Sequence, residues 1–455
     1  MTDTRKRGMW ARALHLAELT PASRNRYVDL LRAIAITCVV LGHWTMAAPW
    51  IRDGHATIEH LLTIVPWTRW LTWCFQVMPV FFFVGGFSNG TSWRSAQRRE
   101  LPWRDWFASR LQRLLGPTLV LVAFWVVGSM IALPLGVHPE FVRVGSQISL
   151  IPTWFLAVYI LVCMVVPWTH AWWQRSGYAS VAVLVAGAIV MDALFFLVPS
   201  LRWLTWANYL FIWLAVHQLG YAWLDGLRGG GRSLVWGLAS LGALFAMVLL
   251  GPWPISLVGV PGETLPGTDV VLSNTRPPKL PLLALGVAQI GLLLALQGPA
   301  KQWLARRVPW AATVLANGMI MTVFLWHSTA MMLLFGVGFL LGGIGWGPEP
   351  GTAAWWSIRP LWIAAFMVGT IPFVAVFQRF ERVSGRSAPG VARLVIGCML
   401  TCVGLALLAI SGLDGEGVGS LPWVPIALPF IGCGIAGFGP LGALEARLRG
   451  EAATE

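Results

Sequence analysis

Charge is scarce in this sequence. Asp, Glu, Lys and Arg make up 11% of its 455 residues, and 57% are hydrophobic. A soluble chain of this length needs far more polar surface, so soluble globular classes are excluded and an integral membrane protein is expected. Strict apolar and polar alternation is missing as well. That excludes the strands of a membrane barrel and leaves helices, which satisfy their own backbone within each span. The cysteines (Cys38, Cys74, Cys163, Cys398, Cys402, Cys433) lack the paired spacing of a metal site and all fall in apolar runs. Neither disulfides nor a metal is expected, and Cys398 and Cys402 read as packing residues on one helix face.

What is abundant is apolar sequence in long pieces. Runs of about 17 to 25 residues, each able to cross ~30 Å of hydrocarbon, recur near 30–49, 70–91, 114–135, 153–168, 180–198, 204–222, 233–250, 280–298, 312–335, 357–378, 391–411 and 421–440. The expected fold class is an all-α integral membrane protein, a polytopic bundle of about 12 transmembrane helices.

Acidic residues are scarcer than basic ones, 19 against 32, for a net charge of +13. In a soluble protein that excess would suggest a nucleic-acid partner. Sorted by loop, with the N-terminus inside, only Arg52, Arg69, Arg143, Arg202, Arg276, Lys279 and Arg359 fall outside. The positive-inside rule then predicts a cell-membrane protein with both termini cytoplasmic, and no nucleic-acid partner is needed. The stretch before Tyr27 lacks the apolar core and cleavage site of a signal peptide. Residues 1–27 therefore read as a cytosolic tail and the first span as an uncleaved anchor.

Internal repeats and soluble catalytic modules are also lacking, so chemistry is expected within the membrane body. The loop "GVPGETLPGTDVVLSNTRPPK" (259–279) is rich in Pro and Gly; its composition suits a lid or substrate rim and equally a plain connector. The stretch "RFERVSGRSAPG" (379–390) marks a boundary between a body, 28–382, and a two-helix extension with a short cytosolic tail, 383–455.

The first span, "RYVDLLRAIAITCVVLGHW", carries Asp29, Arg32 and His43. Eleven positions separate Arg32 from His43, which places them within ~20° on one helix face and ~16 Å apart along the axis. Asp29 is close enough to pair with Arg32. This reading puts His43 near mid-bilayer, as a general base at the end of a polar track or as a packed histidine beneath a snorkelling arginine. In "ASRLQRLLGPT", Arg110 and Arg113 share a face at the mouth of the third span. They suit phosphate, and equally positive-inside charge against anionic lipid heads. The Gly-Gly pair of "MPVFFFVGGFSNG" permits close approach of helices or of a thin ligand chain. Asp192, His217 and His327 are further ionisable candidates within spans. Trp154, Trp203, Trp206, Trp355 and Trp356 read as a border belt.

Taken in order, "DLLRAIAITCVVLGH", "FFFVGGF", "RLQRLLGP", "TWFLAVYILVCMVVP" and "FLWH" resemble the pattern of bacterial membrane acyltransferase family 3, over about residues 24–382. The resemblance implies a ten-span body that moves an acyl group, usually acetyl from acetyl-CoA, to a hydroxyl of an envelope glycan, a glycolipid or a small glycoside. By position it implies that His43 is catalytic, that Arg32 is its motif partner with Asp29 beside it, and that Arg110 and Arg113 hold coenzyme phosphates. His327, Asp192 and Trp154 remain further candidates. Leu30 and Gly86 depart from the pattern, where Gly and Ser are common. The final two spans stand where many relatives carry a soluble esterase-like domain, so the chain is expected to finish the transfer itself or to pass the acyl group to a separate envelope partner. The rivals are a secondary transporter, whose repeat symmetry is absent, and a non-catalytic membrane protein that binds a sugar or lipid.

Overall fold

The computed structural model describes residues 8–21, 24–52, 54–381 and 388–438. The start of the basic tail, half of the boundary stretch 379–390 and the tail after 438 lie outside the described residues. In chain order the elements begin with α1 (Met9–Glu18), α2 (Arg26–Met46), β1 (Ala47–Arg52), β2 (His55–His60), α3 (Leu61–Ile64), a tight turn at Pro66–Leu71, α4 (Thr72–Phe75) and α5 (Met78–Arg98). There follow α6 (Trp103–Ala132), α7 (Pro139–Leu150), α8 (Pro152–Met164), α9 (Val166–Ser176), α10 (Tyr178–Leu197), α11 (Asn208–Leu224) and α12 (Gly231–Leu250). Beyond these come α13 (Leu280–Ala295), α14 (Gln297–Leu304), α15 (Arg307–Asn317), α16 (Ile320–Leu340), α17 (Ala353–Phe377), α18 (Val391–Ser411) and α19 (Trp423–Ile435).

Among the described residues, nine helical runs are long and apolar enough to cross a membrane, or ten with α13 and α14, bent by 54°, as one span. Each apolar run read from the sequence holds helix. The two left out of that count are α11, with 17 residues, and α19, with 13, below the roughly 20 that a bilayer asks of a helix. The fold is that of an all-α polytopic membrane protein. Among the described residues it departs from helix in one antiparallel hairpin, β1 with β2, and two isolated bridges.

The chain forms two compact units. The first holds Met1–Thr91, Trp168–Ile320 and Gly347–Arg359, and the second Ser92–Pro167, Met321–Trp346 and Pro360–Glu455. In the first, α12 packs on α13, α10 on α11, and α15 on both α1 and α2. In the second, α18 packs on α19, α8 and α7. Small residues set these approaches: a Cβ on Gly397 of α18 would lie 2.4 Å from the Gly432 carbonyl oxygen of α19, so only glycine lets the two backbones meet there.

The Pro and Gly-rich connection between α12 and α13 is stitched to the segment before α5. Trp73 Nε1 donates to the Ile255 carbonyl at 2.8 Å, Gln76 Nε2 to Leu257 at 3.0 Å, and the Leu257 N–H to Thr72 Oγ1 at 2.9 Å. Asn274 Nδ2 closes the loop on itself through the Pro254 and Ser256 carbonyls, at 2.8 and 2.9 Å. Arg69 reaches Glu263 at 3.4 Å. These bonds pair backbone groups that would otherwise be left without partners on burial.

Candidate active site

Helix α2 is uninterrupted from its cap to its last turn. Asn25 Oδ1 accepts the Tyr27 and Val28 N–H groups at 3.2 and 3.4 Å, which starts the helix. Asp29, 5% exposed in the first turn, accepts from Arg24 Nε at 2.6 Å and from Arg32 Nη1 at 3.3 Å. The pairing expected from their spacing is present, and Arg24 adds a second cation. Arg32 Nη2 also donates to Ser88 Oγ of α5 at 3.1 Å, so the first two sequence motifs meet at this end of the helix. Asn317 Nδ2 of α15 holds the Asp29 carbonyl at 2.9 Å.

The other end carries His43. His43 lies in the last turn of α2, eleven residues beyond Arg32. The apolar run continues through Ala47, Ala48, Pro49 and Trp50, but the residue before a proline is pushed to extended backbone. The chain leaves the helix at Ala47 (φ −74°, ψ 120°) and enters β1.

The carbonyls freed by that exit are taken by Arg359 of α17. Its Nη2 donates to Trp44 at 2.6 Å, to Thr45 at 3.0 Å, and to Ala47. The guanidinium is 3% exposed and lies 4.5 Å over the Trp355 ring. A cation at a helix C-terminus satisfies orphan carbonyls and the helix dipole together. Sequence reasoning had sorted Arg359 only by loop charge and Trp355 into a border belt. Trp355 is instead 2% exposed and packs with Ala48 and Leu61 beneath the hairpin. Trp203 and Trp206 are exposed, as a belt requires.

The second arginine motif lies inside α6, which begins at Trp103, well before the expected span mouth. The Arg110 guanidinium sits 4.7 Å over the Trp106 ring, and its buried Nε has no hydrogen-bond partner. Arg113 is exposed. A planar cation stacked on an indole with an unused donor is equipped for an anion. Residues 25–379 match the acyltransferase domain that defines acyltransferase family 3. The chain belongs to that family. It is therefore a membrane acyltransferase. No curated protein and no solved structure matches the chain.

The Gly-Gly pair of this acyltransferase stands at a tight packing point. A Cβ on Gly86 would stand 1.9 Å from the His217 carbonyl oxygen, and one on Gly220 would stand 2.2 Å from the Phe83 carbonyl oxygen. Helices α5 and α11 touch backbone to backbone, so the Gly-Gly motif serves helix packing. His217 belongs to that contact, its Nε2 3.1 Å from Asn89 Nδ2 and its ring edge-on to Tyr221.

The remaining candidates in this acyltransferase have well-defined surroundings. Asp192, 1% exposed, accepts from Asn208 Nδ2 at 2.9 Å, Trp253 Nε1 at 3.0 Å and the Leu280 N–H at 2.9 Å. It pins both ends of the stitched loop. Lys279, fully buried nearby with Nζ 3.6 Å over the Phe195 ring, has its ammonium pushed down to about 8 by burial, against the pull of Asp192. His327 is fully buried in α16, with Nδ1 2.7 Å from the Phe324 carbonyl and Nε2 3.1 Å from Ser328 Oγ. Trp154 lies at the start of α8, half-buried, edge-on to Phe155.

Sequence reasoning missed Arg359 and His60. A charged residue inside an apolar run just before Pro360 was a signal for the first. His60, in a short polar stretch between runs, offered none.

Proposed function

We propose that this protein is an O-acyltransferase of the cell membrane, with both termini cytoplasmic. It takes an acyl group, acetyl in the first instance, from cytosolic acyl-CoA and places it on a hydroxyl of an extracytoplasmic or lipid-linked carbohydrate. The observation that carries this reading is the family match over 25–379 together with one unbroken helix bearing Asp29, Arg32 and His43. His43 deprotonates the acceptor hydroxyl as its oxygen attacks the thioester carbon, or holds the acyl group briefly before passing it on. Asp29 and Arg32 organise the opposite end of α2. Arg110 and Arg113 hold coenzyme phosphates, a role that the unpartnered Arg110 Nε supports. A separate envelope protein is a further partner for the final placement.

Mass spectrometry of envelope glycans from cells with and without the gene tests the reaction class. The expected result is loss of the acetyl mass increment from one carbohydrate fraction on deletion. Unchanged acylation in every fraction, with no consumption of acetyl-CoA by the purified protein, would remove the proposal. Arg110→Ala and Arg113→Ala are expected to raise the KM for acetyl-CoA about tenfold or more, as loss of charge-assisted phosphate contacts does.

A further inference from the structure

The hairpin after α2 returns a second imidazole to the His43 end of that helix. Ala47 follows His43 by four residues, so the two lie one turn apart on the same face. The Ala47 N–H donates to the His43 carbonyl. Across the antiparallel pair, Ala47 stands opposite His60. Residues facing each other in such a pair hold their Cβ atoms about 5 Å apart, so the register brings His60 beside the face that carries His43. Arg359, bonded to the Trp44, Thr45 and Ala47 carbonyls, fixes the turn between the two rings.

His60 is poorly suited to mere packing. Its Nδ1 is buried without a hydrogen-bond partner, where buried ring nitrogens ordinarily have one. A leucine would fill similar space with no nitrogen to desolvate. Burial pushes the His60 imidazole down to about 4, and neighbouring His43 adds to that push. The rings are thus within electrostatic reach, and His60 is held neutral at ordinary pH.

We propose that His60 is the second proton-transfer residue of the His43 site. This rests on the reading of His43 as the acyl-transfer residue. As the acceptor oxygen bonds to the acyl carbon, its proton passes to the imidazole pair. The C–S bond breaks and the thiolate leaves with the bonding electrons. The pair then returns the proton to that sulfur, so the cycle closes with ester and free thiol and needs no other reactant. Because His60 is a weak base, once protonated it gives the proton up readily.

The test uses membrane vesicles containing the full-length chain, supplied with acetyl-CoA, reading both released thiol and label on vesicle carbohydrate. His60→Ala is expected to lower turnover about 100-fold with the KM for acetyl-CoA little changed. Added imidazoles of similar size are expected to restore turnover in proportion to their basicity, a dependence that filling a cavity would not produce. His60→Gln, which keeps polarity and bulk without proton exchange, is expected to remain slow. Wild-type turnover in either variant, or rescue that ignores basicity, would overturn the inference. His43→Ala run alongside separates the two claims. If it is inactive while the His60 variants turn over normally, only the role of His60 falls; if His43→Ala is itself fully active, both fall. Thermal midpoints of the variants show whether each is folded, and the Gln variant carries the test if the Ala variant is not.

Discussion

Helices α2 and α16 are each 21 residues long, and each carries a histidine in an apolar stretch. Their surroundings differ completely. His327 is enclosed, with both ring nitrogens bonded to neighbours on its own helix. His43 is half-buried in a last turn, where the backbone leaves the helix, an arginine gathers the freed carbonyls and a second imidazole returns on a hairpin. A histidine in an apolar helix shows that a desolvation cost has been met. Where the helix ends, and what stands beside it, is what separates the two histidines.

The contrast is broken most severely at Arg359. Arg359→Met removes the donor shared by three carbonyls, and we expect a stability loss of about 3 kcal/mol with turnover reduced well beyond tenfold; Arg359→Lys should recover part of both. Thermal midpoints and acetyl transfer in vesicles read the two effects. Normal turnover in Arg359→Met would mean that the hold on the α2 terminus is irrelevant to the site. At Gly86, the added Cβ of Gly86→Ala forces α5 and α11 apart and should cost roughly 2 kcal/mol, without a change in donor KM.

The α16 side of the comparison predicts a milder outcome. His327→Gln should lose about 1–2 kcal/mol from disturbed hydrogen bonds and keep most of its turnover. Inactivity in a folded His327→Gln protein would erase the distinction between the two helices. The smallest expected effect concerns pH. The His60 imidazole has a folded value of about 4, below its ordinary ~6.5. Between those values the folded chain binds fewer protons than the unfolded one. The contribution is therefore complete above ~6.5 and is lost as pH falls toward 4. Against His60→Gln, the wild-type thermal midpoint should drop across that window.

Local relations were legible in the sequence and long-range ones were not. Residues three apart on a helix meet, so the Asp29 and Arg32 pair could be read from spacing. The apolar runs announced membrane helices, although composition could not show that α11 and α19 are short or that Pro49 turns the chain out of α2. Arg359 reaches α2 across more than 300 positions of sequence, and no periodicity reports such a contact. His60 became visible only through the strand register. Gly86 was conspicuous as a small residue, but its purpose depends on Gly220 of another helix.

The central claim is that His43 at this helix end carries the acyl transfer. It is tested most directly by His43→Ala in vesicles given acetyl-CoA, with label on carbohydrate as the readout and a thermal midpoint to establish folding. We expect transfer to fall about a thousandfold while the protein stays folded and Arg110 and Arg113 still bind the donor. Wild-type transfer by the folded His43→Ala protein would contradict the account.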